Sequence, residues 1–206
     1  MTEIYLMRHA ESTMQVQLST TVGGRQNEIE LTPRGLEQAA RARDYLLRHN
    51  IHPTIRLASL AVRAVHTASI VLDTPIADIR QDWHFQEQTH GEAEGQPRDQ
   101  IYTNETLHEL AVQGMDFHFP GGESTNEVAL RMIEGIIQEA RAAGPNQVIF
   151  IGTHGIASKA LLAYHLGYDQ QWIYRTIANN CCLTKLLFDD DTLTVDKDFM
   201  LVDTLA

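Results

Sequence analysis

Two arginines, two or more histidines and a glutamate stand where an α/β chain would gather them. Arg8 and His9 follow directly on the apolar run Ile4 to Met7. Arg63 lies one turn into the helical pattern after a second run, Thr54 to Ser59. His84 and Glu87 come after Ile76 to Ile79, and His154 and Gly155 after Gln147 to Gly152. Taken singly, a histidine at a strand end is more often a structural hydrogen-bonder, and an arginine there a surface ion pair. Taken together they make a pocket for a dianion. A phosphoryl group fits, because its oxygens accept from several positively charged donors. A metal held by His9, His154 and Glu87 is the rival. The neighbouring arginines would repel a divalent cation, and no H-E-x-x-H spacing occurs. Ser12 and Ser158 have no G-x-S-x-G elbow around them, and no Walker A motif is present.

The elements that must position these groups alternate strand and helix. Thr32 reads as an N-cap with Pro33 at the first helical position, and Leu36, Ala39, Ala40, Leu46 and Leu47 give one apolar face. Ala61, Val62, Val65, Ala68 and Leu72 form a second helix. Ser124 and Glu127 have capping-box spacing ahead of Ala129, Met132, Ile133, Ile136, Ile137 and Ala140. Ile156 to Leu166 reads as a helix closed by Gly167. Leu183 to Phe188 and Thr192 to Phe199 read as a terminal hairpin across Asp189-Asp190-Asp191. This pattern predicts an α/β fold of three layers, a mostly parallel central sheet with helices on both faces. Such sheets bind ligands beyond the carboxyl ends of their strands.

Composition sets the outer limits. The 206 residues suit a single domain, 1–206, and 43% hydrophobic with 21% charged residues is globular. A net charge of −11 argues against nucleic acid and against an anionic membrane surface as partners. The ten histidines leave open metal binding, pH sensing and imidazole chemistry. Cys181 and Cys182 are adjacent and not expected to bridge. No secretory leader pattern opens the chain, so a cytoplasmic location is expected. Cytoplasmic α/β enzymes are commonly dimers, so a homodimer is the default expectation.

Six short motifs, in order, carry a resemblance. Met7-Arg8-His9-Ala10-Glu11-Ser12 comes first, then Gly24-Arg25 with Leu31-Thr32-Pro33-Arg34-Gly35 and Gln38-Ala39. Ser59 with Arg63-Ala64 and Thr67-Ala68 follows, then Phe85-Gln86-Glu87 with Gly91-Glu92-Ala93-Glu94-Gly95. Pro120-Gly121-Gly122-Glu123-Ser124, with Arg131 downstream, precedes Thr153-His154-Gly155, and Asn180-Cys181 matches the tail. Together these resemble the histidine phosphatase (phosphoglycerate mutase-like) superfamily, in its phosphatase branch. The resemblance implies a phosphoric monoester hydrolase of histidine acid type, with no metal and no cofactor. His9 would be the nucleophile and form a phosphohistidine, its other ring nitrogen donating to backbone. Arg8, Arg63 and His154 would surround the phosphoryl oxygens, His154 as imidazolium or hydrogen-bond donor. Glu87 would protonate the leaving alkoxide and then take a proton from water. Gln15, Gly24 and Gly155 would contact phosphate or substrate, Gly155 through its backbone N–H.

The chain departs from the motif at three places. Ala10 replaces Gly, which a negative φ allows. Gln15 stands where Asn is usual, and Ala93 where Trp is common. Glu11 reads as structural; Glu92 and Glu94 are runners-up for the acid, or else carboxylates at helix N-terminal amides. The insertion at about 96–119 would be the substrate cap. Its one base is Arg98, against Asp99, Glu105, Glu109 and Asp116, a poor lining for phosphoglycerate. A phosphomonoesterase is therefore expected rather than a mutase, and the insertion between Glu87 and Ser124 suits a small phosphorylated metabolite, or inorganic phosphate, as its partner. Mutase-type transfer is the alternative; a phosphoprotein phosphatase or a non-catalytic phosphate-binding module ranks lower.

Overall fold

The computed structural model describes residues 1–17 and 20–205. Six strands form one sheet: β1 (Thr2–Arg8), β2 (Ile55–Ala58), β3 (Arg80–Gln81), β4 (Val148–Thr153), β5 (Leu183–Asp189) and β6 (Thr192–Val195). Their order is β3-β2-β4-β1-β5-β6. The first four in that order are parallel; β5 and β6 add an antiparallel hairpin. β1 and β4 run in register from Glu3 opposite Val148 to Arg8 opposite Thr153, so both strands end level.

Strand alternation splits the core in two. Ile4 and Leu6 of β1 face α6 (Thr125–Ala143) and α7 (Gly155–Leu166), among Met132, Ile136, Leu161 and Leu162. Tyr5 and Met7 face the other side, packing with Ala39, Ala42 and Leu46 of α2 (Pro33–Arg48) and Val65 and Ala68 of α3 (Val62–Val71). The remaining helices are short: α1 (Thr13–Gln17), α4 (Arg98–Ile101), α5 (Asn104–Gln113) and α8 (Gln170–Arg175). The Thr32 side chain accepts from Gly35 N–H at 3.0 Å with Pro33 leading α2, and Ser124 and Glu127 close a capping box at α6. Gly35 has a steric reason as well: a Cβ there would lie 2.1 Å from the Glu11 carbonyl oxygen. Among the described residues, no helix is long and apolar enough to cross a membrane.

Two elements differ from the sequence reading. Ile76 to Asp78 is a 3-10 turn after Pro75, and the third strand is the pair Arg80–Gln81. Both strand residues are exposed on the sheet edge, so no apolar run marks them. The last strand stops at Val195, because the Asp196 side chain accepts from Asp198 N–H and caps a turn through Phe199.

Candidate active site

The parallel strands deliver their carboxyl ends to one rim. β1 ends at Arg8 and is followed by His9; β4 ends at Thr153, and His154 is the N-cap residue of α7. Arg63 is the second residue of α3, the helix after β2. A cavity of 230 Å³ opens here, lined among others by Arg8, His9, Gln15, Gly24, Arg63 and Glu87. A larger cavity of 560 Å³ lies by the start of β2, among Arg43, His52 and Arg56, and holds none of the motif residues.

Arg63 is the hub. It is 2% exposed, and its guanidinium Nε donates to His9 Nε2 at 3.3 Å while Nη2 donates to His154 Nδ1 at 3.3 Å. The Gly24 and Gln26 carbonyls accept its other bonds, at 3.3 and 2.6 Å. These contacts settle both tautomers, since Arg has no acceptor to offer. His9 Nδ1 carries the proton and donates to the Ala10 carbonyl at 2.7 Å, leaving the Nε2 lone pair toward Arg63. Burial, then Arg63 and Arg8, hold the His9 pKa well below its ordinary value. Ala10, where glycine is usual, is fully buried, and it is not among the residues with positive φ.

Of the two expected states of His154, the hydrogen bonds fit the donor, directed at Ser59. Its Nδ1 is an acceptor, so Nε2–H donates to Ser59 Oγ at 2.7 Å. Burial first, then Arg63, lowers its pKa well below the ordinary value and so disfavours the imidazolium. His154 and Gly155 are not among the cavity-lining residues. A Cβ on Gly155 would come 3.2 Å from Arg8 Nε, so the glycine makes room for the arginine. Among the described residues that buried Nε has no partner, while Nη1 donates to the Ala178 carbonyl.

Glu87 docks on the start of α7. Its carboxylate accepts from Ile156 N–H at 3.2 Å, Ala157 N–H at 2.9 Å and Gln88 N–H at 3.0 Å. His154, the N-cap residue, makes no side-chain cap bond, so Glu87 fills that role from outside the helix. The Glu87 backbone carbonyl accepts from Arg25 Nε and Arg131 Nη2, both at 3.1 Å. Glu123 pairs with both arginines, at 2.6 and 2.9 Å. Burial alone would raise the Glu123 pKa; Arg131 and Arg25 bring it below the ordinary value. These three charged residues sit in the matched motifs, but sequence reasoning assigned them no role. Arg131 on the apolar face of α6 was the available signal.

The other predicted residues fall into place around this frame. Gln15 and Asn180 exchange hydrogen bonds at 3.1 and 3.3 Å, and Asn180 Nδ2 also donates to the His9 carbonyl at 3.0 Å. Gly24 lies under Glu94, whose Oε1 would be 2.2 Å from a Cβ there. Glu94 accepts from Arg25 N–H, Thr89 Oγ1 and His90 N–H; these are loop groups, not the helix amides expected. Glu11 accepts from Thr32 Oγ1 and Arg34 beside the α2 cap. His84 leaves the constellation: it is buried and held by Asp82 at 2.7 Å, packed against Gly135. Ala93 is buried and does not line the cavity. Segment 96–119 contributes Arg98 and Tyr102 to the wall, the guanidinium 5.2 Å from the ring centroid. Asp99, Glu105, Glu109 and Asp116 are exposed and line none of it, so the acidic lining expected from sequence is absent. Ser12, Met14, Val22, Gly23, His90, Ile156 and Tyr174 complete the wall. Only the Arg98–Tyr102 spacing, one helical turn, offered a signal for the aromatic part.

A family model for the histidine phosphatase superfamily (branch 1) matches residues 4–198. The chain belongs to this superfamily. It is 28% identical over 202 residues to the uncharacterized phosphatase PhoE of Bacillus subtilis, covering 97% of this chain and 94% of that one. A 2,3-bisphosphoglycerate-dependent phosphoglycerate mutase of Rhodococcus opacus is 34% identical over 103 residues, covering 48% of this chain and 39% of the mutase. Among solved structures, phosphoserine phosphatase of Entamoeba histolytica in complex with 3-phosphoglyceric acid superposes with a TM-score of 0.80 at 19% identity, each chain fully covered. That likeness shows the shared fold. Family membership and the phosphatases among its relatives support a phosphatase.

Proposed function

We propose that the chain is a metal-independent phosphomonoesterase of histidine acid type that hydrolyses a small phosphorylated metabolite through a phosphohistidine on His9. The observation that carries this reading is the His9 ring. Nδ1–H is tied to a backbone carbonyl, so Nε2 is the free base, and burial with two arginines keeps it unprotonated. The Arg63 contact to Nε2 is long at 3.3 Å and therefore weak. An incoming phosphoryl oxygen takes over that donor and frees the lone pair for in-line attack. Arg8 Nε, buried and without a partner among the described residues, supplies a second donor. Both arginines favour the charge developing on the equatorial oxygens. His154 acts from behind, holding Arg63 through Nδ1. Glu87 takes the proton of the incoming phosphate monoanion, gives it to the leaving alkoxide and then removes one from the attacking water.

Two arginines beside the imidazoles favour an anion over a divalent cation at this place. The chain is read as one domain, 1–206, with 96–119 as its substrate cap, working in the cytoplasm. Mutase-type transfer is less favoured: the PhoE match spans nearly the whole chain, while the mutase match spans half of it. A panel of phosphorylated metabolites, assayed for both phosphate release and isomerisation, tests the reading. Phosphate release abolished by His9→Ala is expected. Isomerisation without release would replace it by the mutase reading.

A further inference from the structure

Lys159 is a buried charge with no part in the mechanism above. It lies on α7, 8% exposed, one turn beyond the Ile156 and Ala157 amides that hold Glu87. Helical side chains lean toward the N-terminus, which carries the ammonium back toward the phosphoryl site. There Nζ donates to the Thr176 carbonyl at 3.2 Å. Two residues on, the Ala178 carbonyl accepts from Arg8 Nη1. Ile177 between them is 80% exposed, while the carbonyls on either side of it accept from Lys159 and Arg8. Among the described residues, Ala178 offers the one acceptor recorded for the Arg8 guanidinium. The position of that carbonyl therefore sets where the remaining Arg8 donors point.

We infer that Lys159 is a positioning residue for the phosphoryl site: by holding the Thr176 carbonyl, it fixes the segment whose Ala178 carbonyl aims Arg8. This rests on the proposed phosphoryl-binding role of Arg8. Packing alone does not call for a lysine here. An apolar side chain of similar length would fill the place without burying a charge, and burial indeed lowers the Lys159 pKa, with Glu87 opposing.

The test is a cycle of Lys159→Met, Arg8→Ala and the double variant, with Lys159→Arg as the conservative control. Readouts are the inhibition constant of inorganic phosphate, kcat and KM on an aryl phosphate, and Tm. Lys159→Met is expected to weaken phosphate inhibition and lower kcat/KM by about tenfold, the effect of losing one charged hydrogen bond, while Tm holds or rises. Lys159→Arg restores both to within about threefold, since a guanidinium reaches the same carbonyl. With Arg8→Ala already present, Lys159→Met should change phosphate inhibition by less than about twofold. Wild-type phosphate inhibition in Lys159→Met, or a full further loss in the double variant, overturns the inference. If Lys159→Met does not fold, Lys159→Gln reads the same quantities, and wild-type phosphate inhibition there overturns it equally. Unchanged inhibition in Arg8→Ala would overturn the role of Arg8 itself. That result is distinct from the case where Arg8→Ala loses phosphate and Lys159→Met does not.

Discussion

Replacing Glu87 by glutamine keeps the length of the side chain and removes both its charge and one acceptor. The carboxylate now takes Gln88 and Ala157 N–H on Oε1 and Ile156 N–H on Oε2. A carboxamide oxygen at the Oε1 place keeps the first two as neutral bonds. Its NH2 group then faces Ile156 N–H, donor against donor. Losing one charge-assisted bond costs about 2 kcal/mol, and weakening two others about 0.5 kcal/mol each, giving about 3 kcal/mol in all. For a chain of this size that is a Tm drop of about 6–12 °C. Catalysis should respond separately. Without the proton, alkyl phosphates should slow by about 10²–10⁴-fold, whereas an activated aryl phosphate, whose leaving group needs no proton, should slow by less than about tenfold. The assay is kcat/KM across a leaving-group series, with thermal unfolding alongside. Equal slowing across the series would refute Glu87 as the acid and leave it as a helix cap alone. An unchanged Tm would refute the clamp on α7.

Other perturbations follow from the same contacts. In Gly24→Ala the new Cβ must displace Glu94 from three donors, so denaturant unfolding should show a loss of about 2 kcal/mol or more. In Gly155→Ala the Cβ presses on Arg8 Nε at 3.2 Å, so the inhibition constant of inorganic phosphate should rise severalfold while stability falls by less than about 1 kcal/mol. The pKa values of His9 and His154 are depressed in the fold, so the unfolded chain binds protons first as pH falls below 6.5. Stability is fully present above that pH and declines below it by up to about 1.4 kcal/mol per pH unit for each ring. Urea titrations at pH 7 and pH 5 should show this, and His154→Asn should lessen the difference. Prolonged chelation should leave phosphate release unchanged, and a loss restored by a divalent metal would contradict the metal-free chemistry.

What could be read in advance was set by local rules. Arg8, His9, Arg63 and His154 stand at or just beyond strand ends or at helix starts, and a parallel sheet brings such positions to one rim. Thr32 with Pro33, and Ser124 with Glu127, announce helix starts through their own short-range hydrogen bonds. The third strand escaped because Arg80 and Gln81 are exposed edge residues, while Pro75 and Asp78 turn the apolar stretch before them into a 3-10 helix. His84 follows that strand as expected, yet Asp82 captures its ring. The donor state of His154 depends on Arg63, distant in sequence, and no spacing displays that pairing. The same holds for Gly24 beneath Glu94 and for the arginine pair that grips the Glu87 carbonyl. These are contacts between segments far apart in sequence, set by tertiary packing rather than by local pattern.

The proposed chemistry stands on a covalent phosphoryl group at the Nε2 atom of His9. Rapid acid-free quenching of the enzyme with a radiolabelled aryl phosphate, followed by peptide mass spectrometry, tests it most directly. An acid-labile, base-stable phosphate is expected on the peptide that contains His9, formed within one turnover and absent from His9→Ala. Label on a serine or carboxylate, or full turnover by His9→Ala, would contradict it.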